Sequence, residues 1–195
     1  QAAPPPLLRV TPMGESLLRW GRRTHVMGVL NVTPDSFHAD SRVTGRQAVE
    51  RGVAMFEDGA TWVDVGGEST RPGADAVSVD EECSRVIPVI QGLKQACPDG
   101  LVSIDTRHAR VAQAALDAGA DMVNDVSGLR DPAMVDVVLQ AKAAVCIMHM
   151  QGTPKTMQHE IQYNDVVHDV HEALFATANA LVARGHPSDL ICHSE

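Results

Sequence analysis

The chain has 195 residues, 44% of them hydrophobic, with a formal net charge of −9; that is one domain's length, with a sizeable core and ordinary globular composition. The acidic balance argues against nucleic acid or an anionic membrane surface as the main partner, because both reward clustered Lys and Arg. No apolar run approaches the roughly 20 residues that cross a bilayer, and no basic-then-apolar leader is seen, so a cytoplasmic address without a membrane partner is expected.

Residues Gln1 to Met13, with Pro4, Pro5 and Pro6 in a row, suit neither a helix nor a central strand. They read as a flexible lead-in to one domain over 14–195. One rhythm then repeats: a short β-branched or apolar run, a polar cluster with Gly or Pro, and a helix-length stretch. The runs His25–Val32, Thr61–Gly66, Leu101–Asp105, Asp121–Val126 and Ala143–Met148 predict strands. The stretches Gly45–Asp58, Asp80–Cys97, Arg107–Ala118, Pro132–Ala141 and Asn164–Arg184 predict helices, with apolar residues at three-and-four spacing such as Val49, Val53 and Phe56. Almost continuously hydrophobic strands are covered on both faces, as in a parallel sheet under helices. Each strand ends in a polar cluster, which favours a barrel of the (β/α)₈ TIM type over an open sheet with one switch point. Neither G-x-G-x-x-G nor G-x-x-x-x-G-K-[ST] occurs, which weakens a nucleotide-binding reading. Cys83, Cys97, Cys146 and Cys192 lie far apart with no C-x-x-C pair, so no disulfide framework or zinc site is expected.

The strand ends carry the candidate chemistry. In VMGVLNVTPDSF, Asn31 either caps a turn or offers its amide oxygen to a hard cation such as Mg²⁺ on a diphosphate, which needs only one or two protein oxygens. In TWVDVGGESTRPGA, Ser69, Thr70 and Arg71 can hold an anion, unless Gly66 and Gly67 only turn the chain and Arg71 makes a surface ion pair. Asp105 in VSIDT either caps the next helix, as Thr106 could, or accepts the flat amidine-like edge of a pterin, with Asn124 of MVNDVSG serving a ring donor and acceptor. In CIMHMQGTP, Met148 and Met150 read first as packing residues and second as the lining of a flat heteroaromatic. His149 is either a hydrogen-bonded strand-end residue or a neighbour of the ligand. His168 and His171 lack a third metal ligand nearby in sequence.

Taken together and in this order, VMGVLNVTPDSF, VDVGGESTRPGA, SIDT, VNDVSG and MHMQGTP resemble the dihydropteroate synthases over roughly His25 to Arg184. The resemblance implies transfer of a pterin methyl to the arylamine of p-aminobenzoate, by ionising departure of diphosphate assisted by Mg²⁺. It implies that Asn31 contacts the Mg²⁺ and diphosphate, that Thr70 contacts the diphosphate with Arg71 beside it, and that Asp105 and Asn124 take the pterin edge with Met148 against it. Mobile loops with Thr33, Pro34 and Phe37, and with Ser69, Thr70 and Pro72, would fold over to form the aminobenzoate pocket. Asp64 lies beneath the mouth in a supporting role. It further implies a folate-synthesis enzyme that sulfonamides target.

Two departures qualify the resemblance. The family's first loop continues as Ser-Asp-Gly-Gly, whereas Phe37 here is followed by His38, Ala39, Asp40, Ser41 and Arg42. The family's sixth strand ends in Asp-Pro-Gly, where this chain has Leu190, Ile191, Cys192, His193, Ser194 and Glu195, so His193 stands in place of the Asp. About six βα units are expected, an incomplete barrel with exposed strand edges that a partner copy, as in a homodimer, would cover. Two other readings stay open: the pterin-binding barrel of a corrinoid-linked methyltransferase, and a non-catalytic pterin-binding remnant.

Overall fold

The computed structural model describes residues 10–13, 16–21, 23–33, 41–68, 77–151 and 162–194. A short antiparallel hairpin, β1 (Val10–Met13) and β2 (Ser16–Arg19), precedes five alternating strands and helices: β3 (Met27–Asn31), α1 (Ser41–Glu57), β4 (Trp62–Gly66), α2 (Val79–Ala96), β5 (Leu101–Asp105), α3 (Ala109–Asp117), β6 (Met122–Asp125), α4 (Pro132–Ala141), β7 (Ala144–Met148) and α5 (Val166–Ala183). A 3-10 turn, Ser188–Leu190, leads into β8 (Ile191–Ser194). The parallel sheet runs β3-β4-β5-β6-β7-β8 and is not closed, so six strands of a (β/α)₈-type barrel are in place.

Local signals place the helices. Ser78 caps α2, its hydroxyl accepting from the Glu81 amide, and Asp80, Glu81 and Glu82 complement the positive end of the helix dipole. Asp131 caps α4 through the Ala133 amide, with Pro132 in the first turn, where the missing N–H is harmless. Asp165 caps α5 by accepting from Val167 and His168. Packing then divides the sheet into two faces. Leu30, Val65, Ile104, Val123, Val145 and Ile191 alternate along the strands and are buried against the helices, with Val86, Leu93, Val111, Val138 and Leu181 among their companions. The intervening residues look into the concave side.

The hairpin corrects one expectation. Residues 10–13 are not part of a lead-in, because Met13 and Leu18 are buried with Trp62, Leu101, Met122 and Ala144, which open four of the strands. The indole N–H of Trp62 donates to the Met13 sulfur at 3.3 Å, and Trp20 stacks on Trp62 while donating to Thr11 Oγ1. Thr11 in turn donates to the Asp189 carbonyl, 178 residues away. Pro12 sits in a two-stranded hairpin, where a missing N–H costs little. The hairpin thus plugs the end of the barrel opposite the polar strand ends. Met13→Ala is expected to cost about 2–4 kcal/mol, the range for emptying a buried site of this size. Urea unfolding checks this, and a loss under about 1 kcal/mol would mean the hairpin does not seal the core.

Candidate active site

Strand register assembles the site. Asn31 pairs with Gly66, Gly66 with Asp105, Asp105 with Asn124, Asn124 with Cys146, and Cys146 with Cys192. In-register neighbours on parallel strands point to the same face, so one row of side chains crosses the concave side near the strands' C-terminal ends. Asn31, Asp105 and Asn124, drawn from positions far apart in sequence, therefore share one row. Gly66 keeps the row open, since a Cβ there would lie 3.4 Å from Asp105 Oδ2 and 3.5 Å from Asn31 Oδ1.

The row below supplies the support. The buried Asp64 accepts from the Asn124 amide at 2.9 Å and from the Ser103 hydroxyl at 2.5 Å, and Ser103 is its in-register neighbour. Burial raises the Asp64 carboxyl above its ordinary range, partly offset by these two bonds. The Asn124 amide orientation follows, because its NH₂ must face Asp64, which turns Oδ1 away. Among the described residues that buried Oδ1 has no partner. Asn124 thus presents an acceptor that has no partner among the described residues, and the bond to Asp64 uses one of the two hydrogens of its NH₂ group. Asp64→Ala would leave the Asn124 and Ser103 donors unpaired, and is expected to cost about 1–3 kcal/mol of stability. Urea unfolding measures this, and undiminished stability would deny Asp64 its supporting role.

Asp105 is pushed up to about 7, first by burial and then by the negative charges of Asp64, Glu82, Asp125 and Glu68. It does not cap α3. The N-cap is His108, without a side-chain cap bond, and Thr106 Oγ1 accepts from the His108 amide instead. Asp125 closes a turn by accepting from the Ser127 and Leu129 amides, and burial raises its carboxyl. The half-buried Asp105 carboxylate, beside an amide oxygen with no partner among the described residues, can accept several N–H donors from one flat heterocycle.

The remaining candidates divide. Thr33 is half-buried just past β3, and Met148 is half-buried at the end of β7. Met150 is buried, as its packing reading implied. His149 Nε2 meets the Tyr163 hydroxyl at 3.2 Å, which makes it a hydrogen-bonded residue at the strand end. Pro34, Phe37, Ser69, Thr70, Arg71 and Pro72 lie outside the described residues. His193 is exposed and stacks on Phe175 of α5 with ring centroids 5.5 Å apart, while Cys192 occupies β8's place in the row. Among the described residues no three His, Cys, Asp or Glu side chains form a metal-sized group, and no helix is long and apolar enough to cross a membrane.

Residues 27–192 match the family model described as pterin binding enzyme. The chain is 45% identical over 183 residues to a dihydropteroate synthase of Synechocystis sp., covering 93% of this chain and 61% of that one. It is 45% identical over 148 residues to the Escherichia coli dihydropteroate synthase, covering 75% and 52%. Among solved structures, the Burkholderia cenocepacia dihydropteroate synthase complexed with 7,8-dihydropteroate superposes with a TM-score of 0.82 at 42% identity, covering 94% of this chain and 62% of that one. The Xanthomonas albilineans enzyme with 4-aminobenzoic acid gives 0.86 at 39%, covering 96% and 66%. The chain thus spans about three-fifths of the length of the first of these curated relatives.

Proposed function

The chain belongs to the pterin binding enzyme family, and on that premise we propose that it acts as a dihydropteroate synthase, joining 6-hydroxymethyl-7,8-dihydropterin diphosphate to p-aminobenzoate with release of diphosphate. The observation that carries the proposal is the in-register pair Asp105 and Asn124, one a half-buried carboxylate poised near neutrality and the other an amide whose buried Oδ1 has no partner among the described residues. The relatives named above, one bound to 7,8-dihydropteroate and one to 4-aminobenzoic acid, support the same substrates here.

Asp105 accepts the ring N–H and exocyclic NH₂ of the pterin side by side, and Asn124 Oδ1 accepts a further ring donor. Asp64 holds Asn124 in that orientation. With the ring fixed, its methylene carbon is aimed at the aminobenzoate, and positioning of the two reactants supplies much of the acceleration. Mg²⁺ as a cofactor suits the row at Asn31, which is solvent-facing and whose amide oxygen is a donor that a hard cation takes. Asn31 Oδ1 would hold it, and the bound ion supplies positive charge to the departing diphosphate. Thr70 and Arg71 are assigned to the diphosphate, and Ser69 and Pro72 with Thr33, Pro34 and Phe37 to the aminobenzoate side.

The proposal includes a cytoplasmic homodimer and sensitivity to sulfonamides, as arylamine mimics. Strand β3 ends the sheet, and Val26 beside it is 54% exposed, which supports a protein surface covering that edge. Aminobenzoate-dependent diphosphate release, assayed beside calorimetric pterin binding, tests the function. Binding without turnover would sink the catalytic claim, and absence of both would sink the site.

A further inference from the structure

The row does not end at Asn124. Cys146 stands in register with Asn124, and Cys192 with Cys146, so its last two positions, on β7 and β8, are thiols side by side. Their neighbours fix the direction in which they point. Val145 and Ile147 flank Cys146 and are buried in the core against the helices, as is Ile191 on β8, while His193 stacks on Phe175 of α5. Alternation therefore turns both cysteines to the concave side. Neither is in a disulfide, and both are half-buried.

Neighbouring strands run about 4.8 Å apart, which puts in-register Cα atoms inside the range of about 4.4–6.8 Å that a disulfide spans. The Cβ atoms must lean together by roughly 1 Å to reach their usual separation across such a bond. β8 can supply that movement, because it ends the sheet and is hydrogen-bonded to a strand on one side only. Cys83 and Cys97 form a contrast, lying near opposite ends of α2 and about 20 Å apart by helical rise, too far to bridge to each other. Burial, then the charges of Cys192 and Asp64, pushes the Cys146 thiol up to about 12, so Cys146 stays protonated and is a poor first nucleophile. That leaves the first attack to Cys192, on the edge strand.

We infer that Cys146 and Cys192 form a dithiol site that takes up low-molecular-weight disulfides and closes as a cross-strand bond clamping β8 to β7. The Cys192 sulfur attacks one sulfur of the incoming disulfide, breaking its S–S bond and expelling one thiol, which carries away the Cys192 proton. Cys146 then attacks the Cys192 sulfur of the mixed disulfide, the second thiol leaves with the Cys146 proton, and the Cys146–Cys192 bond remains. The two cysteines lose two electrons, and the small disulfide gains them as two thiols. A stabilised thiolate is what makes a protein disulfide easy to reduce, and burial withholds that stabilisation from Cys146, which favours the closed bond. The site stands on strand register and does not depend on the function proposed above.

Incubating the full chain with oxidised glutathione at pH 8, alkylating the remaining thiols and mapping peptides by mass reads the pairing, and thermal melting reads the clamp. The expected product is a single chain two hydrogens lighter, with Cys146 and Cys192 joined, Cys83 and Cys97 alkylated, and a melting temperature higher by about 5–10 °C, the scale for closing a long loop. Dithiothreitol is expected to restore both thiols and the original melt. Cys146→Ser removes the second nucleophile, so glutathione should stay bound to Cys192, and in Cys192→Ser the modification of Cys146 should be at least about tenfold slower than that of Cys192 in the parent chain. Glutathione that persists on Cys192 of the parent chain would overturn the proposal, as would Cys146 bonded to another cysteine or to a second chain, or all four cysteines remaining open to alkylation. So would a bond that forms only in urea, or one that leaves the melting temperature unraised.

Discussion

Asp105→Asn is expected to weaken pterin binding by about 2–3 kcal/mol, the scale for losing a hydrogen bond to a charged group, while making the unliganded chain more stable at pH 8. The two effects share one cause. Burial and the surrounding carboxylates disfavour the ionised form of Asp105, which is the form a pterin's N–H edge requires. The folded-state pKa of about 7 stands above the carboxyl's ordinary value of 3.8. Below the lower value both folded and unfolded chains are protonated and the group costs nothing. As pH rises from there through the folded value, the folded chain loses stability, on the order of a few kcal/mol in all, and the variant is spared that loss. Wild-type pterin affinity should rise across the same upper range as the carboxylate ionises, and the Asn variant's should not. Calorimetric titrations at pH 6 and pH 8, with melts across the range, check both signs. Equal affinity in the two proteins would remove Asp105 from the site.

Gly128→Ala is expected to destabilise the fold by about 3 kcal/mol. Gly128 has φ +72°, and an added Cβ would lie 2.6 Å from the Met148 carbonyl oxygen, an atom of the neighbouring β7. The turn has little freedom to yield. The buried Asp125 carboxylate holds the amides of Ser127 and Leu129 on either side, and Leu129 itself has φ +59°. On the other flank, the Arg130 guanidinium donates to the Met150 carbonyl. Relief would therefore move Met148 and Met150 together, and pterin affinity should fall along with stability. Urea unfolding gives the first quantity, and a loss under about 1 kcal/mol would show that the turn relaxes after all.

The strands were legible because each is a short apolar run ending in a polar residue. Leu101–Asp105 and Pro132–Ala141 were bounded correctly, and the others fell within a few residues. The hairpin was not legible, since Pro12 and the preceding proline run mask a pairing whose cause is the buried end of the barrel, a tertiary demand. The pterin pair was visible as residue types at strand ends. What residue type could not reveal is that Asp64 takes up the Asn124 NH₂ group, or that Ser103, an unremarkable strand serine, shares that carboxylate. The pairing of Cys146 with Cys192 escaped for the same reason, the two being far apart in sequence and brought into register only by folding.

Because the recognition row exists only through strand alignment, a heterocycle that binds it audits the pairing of the whole sheet. A slip of one residue in β6 would swing Asn124 to the helical side and turn Val123 toward the ligand. Misthreaded molecules would then be invisible to the pterin. Substrate present during refolding should therefore draw the population toward correctly aligned chains by mass action, so that the small molecule serves as a proofreader of its own receptor.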